Sequence, residues 1–379
     1  SISTVAVTVP DEETITHAIL LADPDGDLRR VSFEWFSGGV SRRTAFFDSP
    51  ADLNFAGFTS GTVTIPVAGF GGTARTMDRV DIQALDFRGQ ASAKFSQTFS
   101  GAIPGPGVFV NQIDVAGCPN LQATVAVVNI LGQAITGLAG SSFTCREDGT
   151  PLLCTVQPAA AVKPLSVALV IDAGPGAGGG AIDTQKTAAR AFFNLLGADD
   201  RAAIITIGSS PVLLRDFTSG KDSLNQALES VGSSTGAAVY DAILMAVNVT
   251  AGETGRRQAI VLLSASDNTS GSRDAAAVIN AARNSGIPVY SIAFGGVTSP
   301  VVLQSFLFDL ARQTGGPFRL SSAGGLQSTL PAVGQVLSGQ YALGFGTTRR
   351  DGQVHTLEVS VVSNQRTGAA SRTYSRCGP

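Results

Sequence analysis

The run Leu165-Ser166-Val167-Ala168-Leu169-Val170-Ile171 constrains the fold of this chain more than any other stretch, because it offers almost nothing polar to water. A strand apolar on both faces belongs inside a sheet that is covered on both sides. The run stops at Asp172 and passes through a glycine-rich loop, Gly174-Pro175-Gly176-Ala177-Gly178-Gly179-Gly180. Beyond the loop, Ile182, Ala189, Phe192, Phe193 and Leu196 recur at helical spacing. About ninety residues later a second buried-looking strand, Ala259-Ile260-Val261-Leu262-Leu263, leads into Ser264-Ala265-Ser266-Asp267-Asn268. Further strands are expected at 202–207 and 288–294, and helices at 224–231, 239–247, 273–284 and 302–313. Short Ile- and Val-rich strands between helices imply a doubly wound, mostly parallel sheet with both faces wrapped, over residues 164–337.

The flanks read differently. Residues 1–104 hold apolar or alternating runs at 4–9, 31–35, 62–67 and 80–85, separated by Gly, Pro and Asp clusters and without helical periodicity. That pattern predicts a β-sandwich, in which Trp35 alternates with Phe33 and Val31 as core. Gly101-Ala102-Ile103-Pro104-Gly105-Pro106-Gly107 reads as a linker. A second β module starts at 108, with a strand at 124–129 and a hairpin over 143–154 turning at Asp148-Gly149. Strands return in the tail at 340–345 and 355–362. The fold class is therefore multidomain, α/β plus all-β.

The order of strand, Asp172, loop, helix and second strand resembles a von Willebrand factor A domain. Several phrases resemble more specifically the bacterial VWFA-related family: Gly137-Leu138, Phe143, Glu147-Asp148-Gly149, Ala238-Val239-Tyr240-Asp241-Ala242-Ile243 and Gln340-Tyr341-Ala342-Leu343-Gly344-Phe345. The resemblance covers about residues 110–375. It implies an A-type domain, 164–337, inserted into an immunoglobulin-like sandwich made of 108–163 with 338–379. Residues 1–104 would form another such sandwich, since Asp23-Pro24-Asp25-Gly26-Asp27 and the strand near Val80-Asp81-Ile82 resemble immunoglobulin-like and cadherin-like repeats.

By the same resemblance, the loop after the first strand reads Asp-x-Ser-x-Ser, and its oxygens hold a divalent cation that bridges to a partner's carboxylate. Here Asp172 is kept, while Gly174 and Gly176 stand where the serines would be. The threonine of the second loop falls at Ala237, with Thr235 two residues upstream; the aspartate of the third falls at Ala265, with Asp267 two residues on. Mg2+ needs an octahedron of oxygens, and Gly and Ala supply none from their side chains. The expectation is a retained fold with a degenerate metal site. A rearranged site from Asp172, Thr235 and Asp267 is the competing reading. If contacts are made at this end of the sheet, Gly174, Gly176, Ala237 and Ala265 belong to the face. Gly174-x-Gly176-x-x-Gly179 also fits a dinucleotide fingerprint, but Thr206-Ile207-Gly208 lacks the acidic residue that such a site needs after the next strand.

Cys145 and Cys154, nine apart across the expected hairpin, are read as a disulfide. That leaves Cys118 and Cys377, which the insertion would place on the first and last strands of one module; four free buried thiols are the alternative. An even count with hairpin spacing favours an oxidising compartment, extracellular, cell-surface or periplasmic. Asp23, Asp25 and Asp27 are candidate Ca2+ ligands against the plainer reading of a solvated turn. Net charge is −3 with no basic block, which argues against nucleic acid, and no apolar run reaches the ~18 residues that span a bilayer. His17 and His355 read as surface or edge residues of strands, and no Gly-x-Ser-x-Gly elbow is present, so no enzyme is expected. Charged residues make up only 15% of the chain, below the usual quarter, and glycine is abundant. Such a surface suits close packing against a protein partner or further copies: an exported structural or adhesive protein without a cofactor, or, as the alternative, a metal-dependent receptor for an acidic group.

Overall fold

The computed structural model describes the chain apart from residues 10–13, 50–54, 56–57, 69, 71–73, 100–104, 130–131, 158–161, 179, 272, 296–300, 350 and 376–379. The expected linker thus falls largely outside the described residues, as do Gly179 and Cys377. The chain forms two compact units, Ser1–Pro104 with Gly295–Phe306, and Gly105–Phe294 with Leu307–Pro379.

The first unit holds β1 (Ile2–Thr8), β2 (Thr14–Ala22), β3 (Leu28–Ser37), β4 (Val40–Asp48), β5 (Ser60–Ala68), β6 (Arg79–Asp86) and β7 (Phe95–Thr98). They pair antiparallel in two sheets, ordered β1-β2-β5 and β4-β3-β6-β7. Alternate residues of both sheets point into one core: Ile15, Ile19, Val63 and Ile65 from one, Val31, Phe33, Trp35 and Ile82 from the other. The same parity carries His17 inward between Ile15 and Ile19 and leaves it fully buried. This corrects the expected surface or edge role, because period-two alternation, not polarity, decides which face a strand residue takes.

The second unit contains β8 (Gly107–Asp114), β9 (Asn120–Val128), β10 (Phe143–Glu147), β11 (Thr150–Leu152) and β12 (Cys154–Val156). Next come β13 (Leu165–Asp172), α1 (Ala181–Asn194), β14 (Arg201–Ile207), β15 (Val212–Thr218), α2 (Lys221–Glu229), α3 (Val239–Ala251) and β16 (Arg257–Ser264). The α/β part ends with α4 (Ala275–Ser285), β17 (Val289–Phe294), α5 (Val301–Thr314, of which 301–306 belong to the first unit), β18 (Phe318–Ser321) and α6 (Leu326–Ser338). The tail forms β19 (Tyr341–Gly346), β20 (Val354–Ser363) and β21 (Arg366–Ser375).

The six-stranded sheet is ordered β15-β14-β13-β16-β17-β18 and is mixed, because β15 runs antiparallel at one edge. Every residue of β13 is buried, as its apolar sequence demands, and it pairs in parallel with both β14 and β16. The strand order reverses across β13 and β16, which opens a crevice beyond their carboxyl ends. Helix α1 turns Ala181, Gln185, Ala188, Ala189, Phe192 and Phe193 toward the core, at steps of three and four residues. Burying each of the two phenylalanines is worth roughly 2–3 kcal/mol. Helix α6, absent from the sequence expectation, packs Leu330, Val333, Val336 and Leu337 into the same core despite Pro331 in its interior.

Two further sheets, β11-β10-β20-β21 and β12-β19-β9-β8, contain strands from both sides of the α/β segment, and their side chains share one core. The β10–β11 turn places Asp148 and Gly149 at φ 48° and 78°, as a tight hairpin requires. Cys145 lies opposite Leu152 across that hairpin, and the Cys145–Cys154 disulfide reaches β12 in the facing sheet. The bond therefore ties two sheets together, where the sequence had placed it across one hairpin. Leu153, almost wholly exposed between β11 and β12, marks where the chain changes sheet. Cys118 is also disulfide-bonded, while Cys377 lies outside the described residues. Arg257, at the start of β16, donates to Lys163 O at 2.6 Å and Leu337 O at 2.7 Å, so one guanidinium holds both chain crossings between the α/β sheet and the β module.

Candidate functional site

Asp172 ends β13 at the crevice and is fully buried. Gln185 of α1, also buried, clamps its backbone: Asp172 N donates to Gln185 Oε1 at 2.9 Å, and Gln185 Nε2 donates to Asp172 O at 2.7 Å. The carboxylate is surrounded by donors. Oδ1 accepts from Gly174 N at 2.8 Å and Ser266 Oγ at 3.0 Å. Oδ2 accepts from Ala265 N at 2.7 Å, Ser266 N at 2.8 Å and, from a proton shared with Ser266 O, Ser264 Oγ at 3.2 Å. Two carboxylate oxygens offer about four lone-pair sites, so five donors leave none for a cation.

The loop after β13 has closed onto the loop after β16. Gly176 N donates to Ser266 Oγ at 2.9 Å. A Cβ on Gly176 would lie 2.1 Å from Ala265 O and 2.5 Å from Ala265 C, both backbone atoms. A Cβ on Gly174 would lie 2.7 Å from Ser266 Oγ and 2.8 Å from the Ala237 methyl. The space that serine side chains would occupy is filled by protein. Ala237 and Ala265 are buried in this contact and Gly174 is buried as well, so of the four residues expected on an interaction face only Gly176 is exposed.

Direct hydrogen bonds knit the second loop to both others. Ser234 N donates to Ala173 O at 2.6 Å, Ala237 N to Thr269 Oγ1 at 3.0 Å, and Thr269 N back to Ala237 O at 2.9 Å. Asn268 Oδ1 accepts from Tyr240 N at 3.1 Å, holding the first turn of α3. Asp172, Thr235 and Asp267 differ in burial, from fully buried through exposed to half-buried. Thr235 is exposed and makes no bond to Asp172 among the described residues. Asp267 is half-buried with no hydrogen bond or ion pair among the described residues, and burial raises its carboxyl above the usual range. The donor set therefore does not fit a divalent cation: the retained carboxylate is consumed by N–H and O–H groups, and Gly174, Gly176, Ala237 and Ala265 bring no side-chain oxygen to the site.

Asp23 Oδ2 accepts from Leu28 N at 2.8 Å, fixing a turn, while Asp25 and Asp27 approach Arg88 at 3.9 and 3.4 Å. A guanidinium beside two of three carboxylates opposes Ca2+ there. His17 Nε2 accepts from Trp35 Nε1 at 3.1 Å and its Nδ1 faces Ile65 O at 3.3 Å, so the ring is neutral; burial lowers its pKa to about 4. His355 is also buried, against the expectation, because it shares the inward parity of Leu357, Val359 and Val361. Its nitrogens each meet a carboxylate at 2.8 Å, Asp148 at Nδ1 and Asp351 at Nε2, and these bonds raise its pKa. Sequence reasoning missed Gln185, although it had a signal, a polar residue on the buried stripe of α1; it set Ser266 in the contact segment 264–268 but gave it no bond to Asp172.

The sequence model of the von Willebrand factor type A domain matches residues 166–328. Among solved structures, the protein BatB of Bacteroides thetaiotaomicron aligns at 17% identity over 46% of this chain and 97% of its own, with a TM-score of 0.39. The von Willebrand factor domain of the type V pilus tip protein Mfa5 of Porphyromonas gingivalis aligns at 14% identity over 47% and 96%, TM-score 0.39. A von Willebrand factor type A protein of Catenulispora acidiphila aligns at 9% identity over 73% and 74%, TM-score 0.43. Among curated proteins no sequence matches.

Proposed function

We propose that this chain, whose residues 166–328 are a von Willebrand factor type A domain, makes protein–protein contacts without a bridging cation. The domain is a protein-interaction module by family. The observation that carries the proposal is the Asp172 carboxylate, which accepts five hydrogen bonds from within the domain and has none left for a metal. In this reading the loop at Pro175 and Gly176, both exposed, forms a rigid, pre-organised face whose geometry does not depend on ion binding. The alternative, a metal-dependent receptor acting through Asp172, Thr235 and Asp267, has no supporting contact.

The proposal further takes residues 164–337 as an insert between the two halves of a β module, 108–163 and 338–379, with 1–104 as a separate sandwich. It puts the protein in an oxidising compartment, outside the cell or in the periplasm, as a structural or adhesive component. The Cys145–Cys154 disulfide supports that setting, because such bonds persist where glutathione does not reduce them. Low charge and abundant small residues support close packing between copies. The test is electron microscopy and light scattering of the non-reduced protein with Mg2+ or with EDTA. Filaments, sheets or discrete oligomers that form equally in both support the reading. A monomer in both conditions removes self-assembly, and assembly abolished by EDTA removes metal independence.

A further inference from the structure

A cavity of about 600 Å3 lies within the second unit, away from the Asp172 crevice, where β8 and β21 meet the carboxyl ends of α4 and α5. That volume falls in the range of small-molecule sites, roughly 300–1,000 Å3. Its lining includes Arg283, Arg312 and Arg372 and no Asp or Glu, in a chain whose net charge is −3. Three arginines thus contribute to a wall that holds no acidic side chain.

The arginines differ in what they already do. Arg372 is half-buried and donates to Val110 O at 3.2 Å, Thr314 O at 2.8 Å and Gly286 O at 2.7 Å. Two of these carbonyls end α4 and α5, so Arg372 meets the negative ends of both helices and removes acceptors that would repel an anion. Arg283 and Arg312 stand in the last turns of those helices and are exposed. Arg283 donates to Asn280 Oδ1 at 3.0 Å, and Arg312 to Asp309 Oδ1 at 3.3 Å, both local contacts on their own helices. The exposed Arg312–Asp309 ion pair is weak, and Arg283 faces a neutral amide. Ser371 and Thr373 on β21 add hydroxyl donors to the wall.

We infer that this cavity binds a small polyanion, held through carboxylate or phosphate oxygens by Arg283 and Arg312, with Arg372 supporting the floor. Guanidinium groups suit such oxyanions because they donate two parallel hydrogen bonds. Binding here would draw together the α/β sheet and the β module, since the walls come from both.

The experiment is calorimetric titration of the full chain with citrate and with pyrophosphate at low ionic strength, on the parent and on R283Q/R312Q. The expected result is one site per chain for at least one probe, weakened about tenfold for each guanidinium removed, about 1.4 kcal/mol apiece. Citrate alone binding assigns a carboxylate ligand, and pyrophosphate alone a phosphate. A second readout is phenylglyoxal modification of Arg283 and Arg312 in the parent, followed by mass spectrometry, which the bound probe should slow. Absence of binding by both probes at millimolar concentration, or unchanged affinity in the double variant, overturns the inference.

Discussion

Restoring a serine at Gly176 should damage the domain without recovering a metal. The new Cβ would sit 2.1 Å from Ala265 O and 2.8 Å from Ser266 N, and backbone cannot swing aside as a side chain does. Relief requires the loop to lift away from residues 265–266. That movement strains the bond from Gly176 N to Ser266 Oγ and the two from Ala265 N and Ser266 N to the Asp172 carboxylate. Hydrogen bonds to a charged group are worth about 1.5–3 kcal/mol each, and overpacking alone costs about 1–3 kcal/mol. A loss of about 3–5 kcal/mol is expected, which for a domain of this size lowers Tm by roughly 6–20 °C. Calorimetric melting of G176S with EDTA, then with Mg2+, reads it. The variant should melt low in both, with no rescue by Mg2+. A G176S protein that melts like the parent, or regains its stability on adding Mg2+, refutes the view that the loops have closed over the old site.

Asp172→Asn should cost about 3–5 kcal/mol, because it sets an amide N–H2 among inward-pointing donors; urea unfolding checks this, and the loss should be indifferent to chelator. The two histidines give opposite pH responses. His17 has its pKa lowered to about 4 by burial, so its contribution is intact above about 6.5 and falls away as pH drops toward 4, by about 3 kcal/mol in all; H17Q should flatten that slope in the melting of the first unit. His355 has its pKa raised by Asp148 and Asp351, so its contribution is full below 6.5 and is lost as pH rises through the folded-state value; the histidine NMR titration of H355Q against parent identifies it. Replacing both Cys145 and Cys154 by Ala should cost about 2–3 kcal/mol, the loop-closure value for a short loop, read as a lower denaturation midpoint under non-reducing conditions.

Much of the α/β part was legible because its strands are apolar throughout and its helices keep a clean stripe. β13, β14, β16 and β17 stand where the runs of Val, Ile and Leu put them. β15 was not legible: Val212-Leu213-Leu214-Arg215-Asp216-Phe217-Thr218 is an edge strand in which only Phe217 is buried, so neither alternation nor a continuous apolar run marks it. Helix α6 was hidden by Pro331 and Gly334, two residues that weaken a helix in isolation and are tolerated here because Leu330, Val333 and Leu337 pack against α1. Loss of the serines at 174 and 176 could be read from sequence. The replacement of metal by main-chain N–H groups could not, since Ala265 and Ser266 act through backbone atoms that every residue possesses. The disulfide pair was legible from spacing, while the sheet change at Leu153 was not, because one exposed residue between two short strands carries no pattern.

The most direct measurement for the central claim is an anomalous difference map from crystals of the non-reduced protein soaked in millimolar Mn2+, inspected at the carboxyl ends of β13 and β16. Mn2+ accepts the same oxygen ligands as Mg2+ and scatters strongly enough to be located. The account predicts no peak within coordinating distance of Asp172, and the five hydrogen bonds to its carboxylate unchanged. A peak bonded to Asp172, with the Gly174 and Gly176 loop drawn away from Ala265 and Ser266, would contradict it.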